Sequence, residues 1–290
     1  MSAQPDPRYD IDGDVYVSPR YLAGSTGTGD PALAPLLGLG WDLQHDDLGN
    51  VYVNAPDRRV RLGYLPEGED DGLWRINGYL DPFGPPAWGV CFNDSTPTEF
   101  VRAFTTALAS AYEQGPDVYL ARPVSGIDEH DPFLAVVPLL KQGWEFDRPR
   151  WGLFAVQSPD GLAAMEFTTG DLDPAAELTT RDARWQLWAG NSVERPAWYA
   201  TASTDTPVAL LTAVTRCVAD PAPLPRWRGE TFSYIEGMAR LTPILPAEPP
   251  APTPLDVQRA VASRRPAALP ASSVPRWSTT SRPALPGPRR

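Results

Sequence analysis

Lysine is nearly missing from this 290-residue chain: Lys141 is the only one, and the remaining basic residues are all arginine. With alanine and proline abundant, that imbalance reads as base-composition bias and not as a functional choice. Histidine is almost as scarce. His45 and His130 both lie beside aspartate-bearing turns, where a solvated histidine is favoured over a metal ligand or a catalytic base. Cys91 and Cys217 are too few for a disulfide scaffold or a zinc site, so a reduced, cytoplasmic setting is the simplest reading. No stretch approaches the roughly 18 apolar residues of a membrane helix, and residues 1–14 lack the apolar run of a signal peptide. A soluble protein without a membrane partner is expected. There is no Gly-x-Ser-x-Gly elbow. Gly24-Ser25-Thr26-Gly27-Thr28-Gly29 lacks the Lys-Ser/Thr ending of a phosphate loop and reads as a flexible linker. These absences leave no catalytic, cofactor-binding or metal-ligating residue to name, and the chain reads as non-enzymatic.

What is present is a duplication. Asp14-Val15-Tyr16-Val17 returns as Asp117-Val118-Tyr119-Leu120, and Pro35-Leu36-Leu37 with Gly40-Trp41 as Pro138-Leu139-Leu140 with Gly143-Trp144. Pro56-Asp57 returns as Pro159-Asp160 at the same offset of about 103 residues. Pro86-Ala87-Trp88 then matches Pro196-Ala197-Trp198, and Thr96-Pro97 matches Thr206-Pro207, both about 110 residues on. One step in an otherwise constant offset means two domain-sized copies with an insertion in the second, between Phe167 and Trp185. The boundaries that follow are a flexible N-terminus at 1–13, repeat 1 at 14–116, repeat 2 at 117–220 and a tail at 221–290.

Each repeat opens with a short apolar run, Val15–Val17 or Val118–Leu120, read as an edge strand or extended lead-in. Asp30-Pro31 and Asp131-Pro132 are helix starts, and Gly40 and Gly143 end those helices. Four strand signals follow in copy one: 41–44, 51–54 with 60–64, 74–79 and 87–92. Their short connections fit antiparallel hairpins. Thr96-Pro97-Thr98-Glu99 is a capping box, and Phe100, Phe104, Ala107, Leu108, Ala111 and Tyr112 form one apolar stripe behind it. Leu210, Leu211, Val214, Cys217 and Val218 repeat the stripe. The fold class is therefore α+β. Each tandem repeat is a roughly four-stranded antiparallel sheet between a short N-terminal helix and an amphipathic C-terminal helix. Two repeats in one chain make an intramolecular pseudo-dimer; whether they share a sheet is open.

Net charge is −11, yet residues 221–290 hold ten arginines against four acids. Fifteen of the 35 prolines also lie there, so a mostly disordered tail with brief helices at 231–241 and 255–263 is expected. Tail arginines such as Arg264, Arg265 and Arg276 suit weak nucleic-acid contact or a proline-rich ligand for a partner domain, although an undirected linker has the same composition. Among the tryptophans, Trp74, Trp88, Trp185 and Trp198 are candidates to stack bases or grip a peptide. Their matching positions in both copies favour core anchors instead. Arg58, Arg59 and Arg61 are candidates for phosphate or an acidic partner, in copy one alone. The acidic run Glu67, Glu69, Asp70, Asp71 reads as a solvated hairpin tip and not as a calcium loop.

The run Asp14–Gly24, then Gly40-Trp41, Asp46–Val53, Arg61–Glu67 and Glu177–Trp185, resembles the actinobacterial family catalogued as domain of unknown function 317. That family is common in streptomycetes and is often present in two copies per chain. The resemblance covers roughly residues 10–220 and implies no activity, ligand or site residue. The layout is also similar to secretion-chaperone-like folds that bind proteins and to Whirly-type proteins that bind single-stranded DNA. The expectation is a cytoplasmic binding or adaptor protein with a protein partner. The alternative is a single-stranded nucleic-acid binder that uses sheet aromatics and the basic tail.

Overall fold

A computed structural model describes residues 14–66, 72–120, 133–147, 152–230 and 237–244, with 255 and 259. The chain divides into two units, Met1–Ile244 and Leu245–Arg290, and only residues 255 and 259 of the second are described, both helical. In the first unit β1 (Asp14–Ser18) leads through a tight turn, Arg20–Leu22, into α1 (Asp30–Leu37). Five strands follow: β2 (Asp42–His45), β3 (Val51–Asn54), β4 (Val60–Tyr64), β5 (Trp74–Gly78) and β6 (Trp88–Phe92). α2 (Thr98–Gln114) closes the first copy. The second copy runs α3 (Pro116–Tyr119), α4 (Phe133–Leu140), β7 (Glu145–Phe146), β8 (Leu153–Gln157) and β9 (Ala163–Thr168). It continues with α5 (Pro174–Thr179), β10 (Trp185–Gly190), β11 (Pro196–Ala202) and α6 (Val208–Ala219). β12 (Leu224–Trp227) and β13 (Arg240–Pro243) end the unit.

The protein is α+β, and its two copies share one antiparallel sheet. Ten strands lie in the order β2-β3-β4-β5-β6-β11-β10-β9-β8-β7. Each copy supplies five strands, one more than expected, because 51–64 is a hairpin whose two arms pair Val53 with Leu62. At the centre Phe92 pairs with Ala200, Cys91 with Thr201 and Val90 with Ala202. Cys91 and Thr201 are equivalent positions of the two copies, so a pseudo-two-fold axis passes between them. The bonds around it come in matched sets. Asn93 N donates to Tyr199 O and Ser203 N to Gly89 O. The Asn93 amide oxygen accepts from Tyr199 N, and Ser203 Oγ accepts from Gly89 N. The Thr96 hydroxyl donates to Asn93 Oδ1 and Tyr199 O, while the Thr206 hydroxyl lies 3.5 Å from Gly89 O.

Alternation sends Val60, Leu62, Trp74, Ile76, Trp88, Val90 and Phe92 to one face, under a helix layer in which α1 packs on α2, α2 on α6 and α6 on α4. The stripe Phe100, Phe104 and Leu108 is wholly buried there, as expected of its spacing. Gly40 (φ 75°) and Gly143 (φ 81°) turn the chain out of α1 and α4 in the left-handed region, and Trp41 and Trp144 follow into the core.

Local signals are overruled in four places. Thr96-Pro97-Thr98-Glu99 does not form a capping box: no side chain caps α2, because Thr96 serves the seam and the Glu99 carboxylate pairs with Arg226. The 24–29 segment is pinned, not a free linker. Gly24 O accepts from Arg226 and Thr28 O from the Thr98 hydroxyl. The segment expected to open the tail supplies β12 and β13, which flank β1 in a second, three-stranded sheet. The matching quartets at 14 and 117 are not structurally equivalent either, since the first is strand β1 and the second falls on the helical turn α3.

The true counterpart of Tyr119 is Tyr21, and the two are exchanged between copies. The Trp88 indole N–H donates to Tyr119 O (3.0 Å), and the Tyr119 hydroxyl donates to Asp57 Oδ2 (2.7 Å). The Trp198 indole N–H donates to Tyr21 O (2.6 Å), and the Tyr21 hydroxyl to Asp160 Oδ2 (2.7 Å). Thus the lead segment of copy two closes copy one, and that of copy one closes copy two.

Candidate functional site: the open face and its loops

Helices cover one face of the sheet, which leaves the other to carry chemistry. Trp74, Trp88, Trp185 and Trp198 are not on it: they are 2%, 0%, 3% and 1% exposed, packed under the helices. Their reading as stacking platforms is corrected, since a ring sealed in the core offers no face to a ligand. Arg264, Arg265 and Arg276, His130, the 67–71 acidic run, residues 1–13 and most of the expected tail lie outside the described residues, while the described end of the helix expected at 231–241 is a turn and the start of β13. His45 is exposed on the edge strand β2.

Arg58, Arg59 and Arg61 cluster at one loop. Arg58 takes φ 59° at the β3–β4 turn, where the Asp57 carboxylate accepts from Arg59 N. Tyr79 N donates to Arg59 O, and the Arg61 guanidinium lies 4.5 Å above the Tyr79 ring while it donates to Pro82 O. The β5–β6 loop, Leu80–Pro86, is thereby tied to the arginine turn. A turn within it is closed by Asp81, whose side chain accepts from Phe83 N and whose carbonyl accepts from Gly84 N. On that braced loop Phe83 is 95% exposed. In copy two the equivalent β10–β11 loop folds inward, and Val193 packs on Ala164, Trp188 and Tyr199.

Beside the pseudo-two-fold axis the open face holds a cleft of about 170 Å³. Arg75 and Asn77 of β5, Gly89 and Cys91 of β6, and Tyr199 and Thr201 of β11 form its floor. The insertion of copy two forms its side: α5, capped by Asp173 through Ala175 N, and the turn after it to Arg181. Leu178 Cδ2 lies 2.6 Å from where a Cβ on Gly89 would stand. Glu177 anchors the helix, its carboxylate accepting from Thr204 N and the Thr204 hydroxyl. Arg181 stacks 4.0 Å above the Tyr199 ring. Sequence reasoning placed the insertion correctly but not its course, because no local pattern tells a loop to lie back across a sheet.

Elsewhere the tyrosines of the exchanged pairs are held neutral. Burial and their aspartate partners raise the pKa values of Tyr21 and Tyr119 well above that of a free phenol. Burial likewise raises the Cys217 thiol, which makes it a poor nucleophile. No group of three or more His, Cys, Asp or Glu suited to a metal occurs among the described residues. No described helix is long and apolar enough to cross a membrane.

Two segments of this sheet, residues 54–113 and 157–224, match the model of SPDY, a domain of unknown function (DUF317). Two separate matches to one family model agree with two tandem copies. Each matched segment begins at the last residue of its copy's second strand, Asn54 or Gln157, and runs on into the closing helix. α1, α4 and the Tyr21 turn fall outside both. No curated protein matches the chain, and no solved structure does.

Proposed function

We propose that the protein is a non-enzymatic adaptor that docks an acidic protein partner through the Leu80–Pro86 loop and the arginine turn beside it. The single observation behind this reading is Phe83, almost wholly exposed on a loop that its own hydrogen bonds hold in shape. Leaving a phenyl group in water forgoes about 1.5–3 kcal/mol of burial. A loop already ordered loses little further entropy on binding, and an aromatic ring beside arginines is the composition of an interface hot spot. The paired loop of copy two, folded onto its own sheet, makes the contrast within one molecule. Neither cysteine forms a disulfide, which supports the cytoplasmic setting.

The nucleic-acid alternative loses its sheet tryptophans to the core. Labelled single-stranded DNA titrated with residues 1–290 at two salt concentrations is expected to show no binding that depends on the sheet. For the adaptor reading, a photo-reactive phenylalanine analogue at position 83 should give a discrete protein adduct in cells. That adduct should disappear with Arg58→Ser/Arg59→Ser. Absence of an adduct, or one indifferent to both arginines, would overturn the reading.

A further inference from the structure

The cleft beside the axis has no part in that docking loop, and two arginines stand in its lining. We infer that it binds a small anion bearing a carboxylate or phosphate group, held between Arg75 on the floor and Arg181 at the rim. A volume of about 170 Å³ is several times the roughly 30 Å³ share of one water and suits a ligand of about ten heavy atoms or fewer. Asn77, Thr201 and the two arginines line it, and among the described residues of the lining the one carboxylate, Glu177, is spent on Thr204. A guanidinium has five N–H donors in a planar fork, so each arginine keeps its protein contacts and still meets an anion. Tyr199 fixes the plane of the Arg181 guanidinium from below.

Comparison within the chain supports a built site. The core tryptophans and the seam bonds are kept in both copies, yet the open face diverges at this spot. Where copy one presents Arg75, Asn77 and Gly89, the matching strand positions of copy two hold Gln186, Trp188 and Tyr199. Trp188 and Tyr199 are capped by their own loop. Only copy two carries the α5 insertion, and it is aimed at copy one's open side, where Gly89 leaves room for Leu178. Duplication alone would have made two half-sites; the divergence makes one.

The test is calorimetric titration of the full chain with succinate and, separately, with inorganic phosphate, at ionic strength matched by sodium chloride. Saturable binding of either anion is expected, and whichever binds tighter names the group. Arg181→Gln, on the exposed rim, should weaken binding about tenfold or more, as loss of a charge-assisted contact does. Arg75→Gln should do the same. Arg216→Gln, on the exposed side of α6, should leave the dissociation constant unchanged. Failure of both anions to bind the unaltered protein would overturn the inference. So would equal weakening in Arg216→Gln, or no weakening in either cleft variant. None of these results bears on the Phe83 loop.

Discussion

Trp88 and Trp198 each spend their single N–H on a carbonyl from the other copy's lead segment, at Tyr119 and Tyr21. Phenylalanine at either position keeps most of the ring but strands that buried carbonyl, which costs about 1–3 kcal/mol. Urea unfolding of Trp88→Phe and Trp198→Phe should therefore give similar losses, because the two sites are copies of one another. The tyrosines add a pH dependence. Their folded pKa values are raised, so the stability they bring is complete below the pKa of a free phenol, about 10. It falls as pH climbs beyond that, because the unfolded chain releases phenol protons that the folded one retains. Tyr21→Phe/Tyr119→Phe should flatten this alkaline loss in urea titrations between neutral pH and about pH 11. At this scale the sequence was legible where repetition meant a shared core, as with the four tryptophans. It misled where Asp117–Leu120 nearly repeats Asp14–Val17, since a near-identical quartet fixes neither strand nor helix when tertiary partners differ.

Among the elements, the amphipathic helices and the copy-one strands were readable from periodicity, because burial of one face imposes it. β12 was not. Its proline-bearing, arginine-bearing stretch reads as tail, yet Leu224 and Arg226 alternate inward with Pro225 and Trp227 outward. Arg226 is paired through two nitrogens with Glu99 and also donates to Ala23 O and Gly24 O. Removing one member of such a buried pair costs about 3–5 kcal/mol, and the lower end applies here because Glu99 is partly exposed. Arg226→Met alone should thus unfold at clearly lower urea than Arg226→Met/Glu99→Gln, which leaves no orphaned carboxylate. Gly89→Ala tests α5. Its Cβ would stand 2.6 Å from Leu178 Cδ2 and 2.8 Å from Asn77 Oδ1, so the Leu178 side chain must turn aside and the packing of α5 on the sheet should loosen. Hydrogen exchange should then quicken at Glu177–Thr180 and stay slow in α2.

For the whole molecule, the sequence carried the duplication but not the join. Pairing of β6 with β11 links residues more than a hundred apart, and no local pattern encodes such a register. The exchange of lead segments is equally silent in sequence. The fold needs the chain through Ile244, so residues 1–244 should melt like the full protein, while residues 1–220, lacking β12 and β13, should melt several degrees lower. The most direct test of one interlocked body is equilibrium urea unfolding followed by two probes at once. Fluorine-labelled phenylalanine at Phe104 would report copy one, and the same label at Phe167 would report copy two, each in a separate single-label sample. The shared sheet and exchanged segments predict coincident transitions with one midpoint and one slope. Two separated midpoints would mean that the copies fold as independent lobes, and would contradict the account.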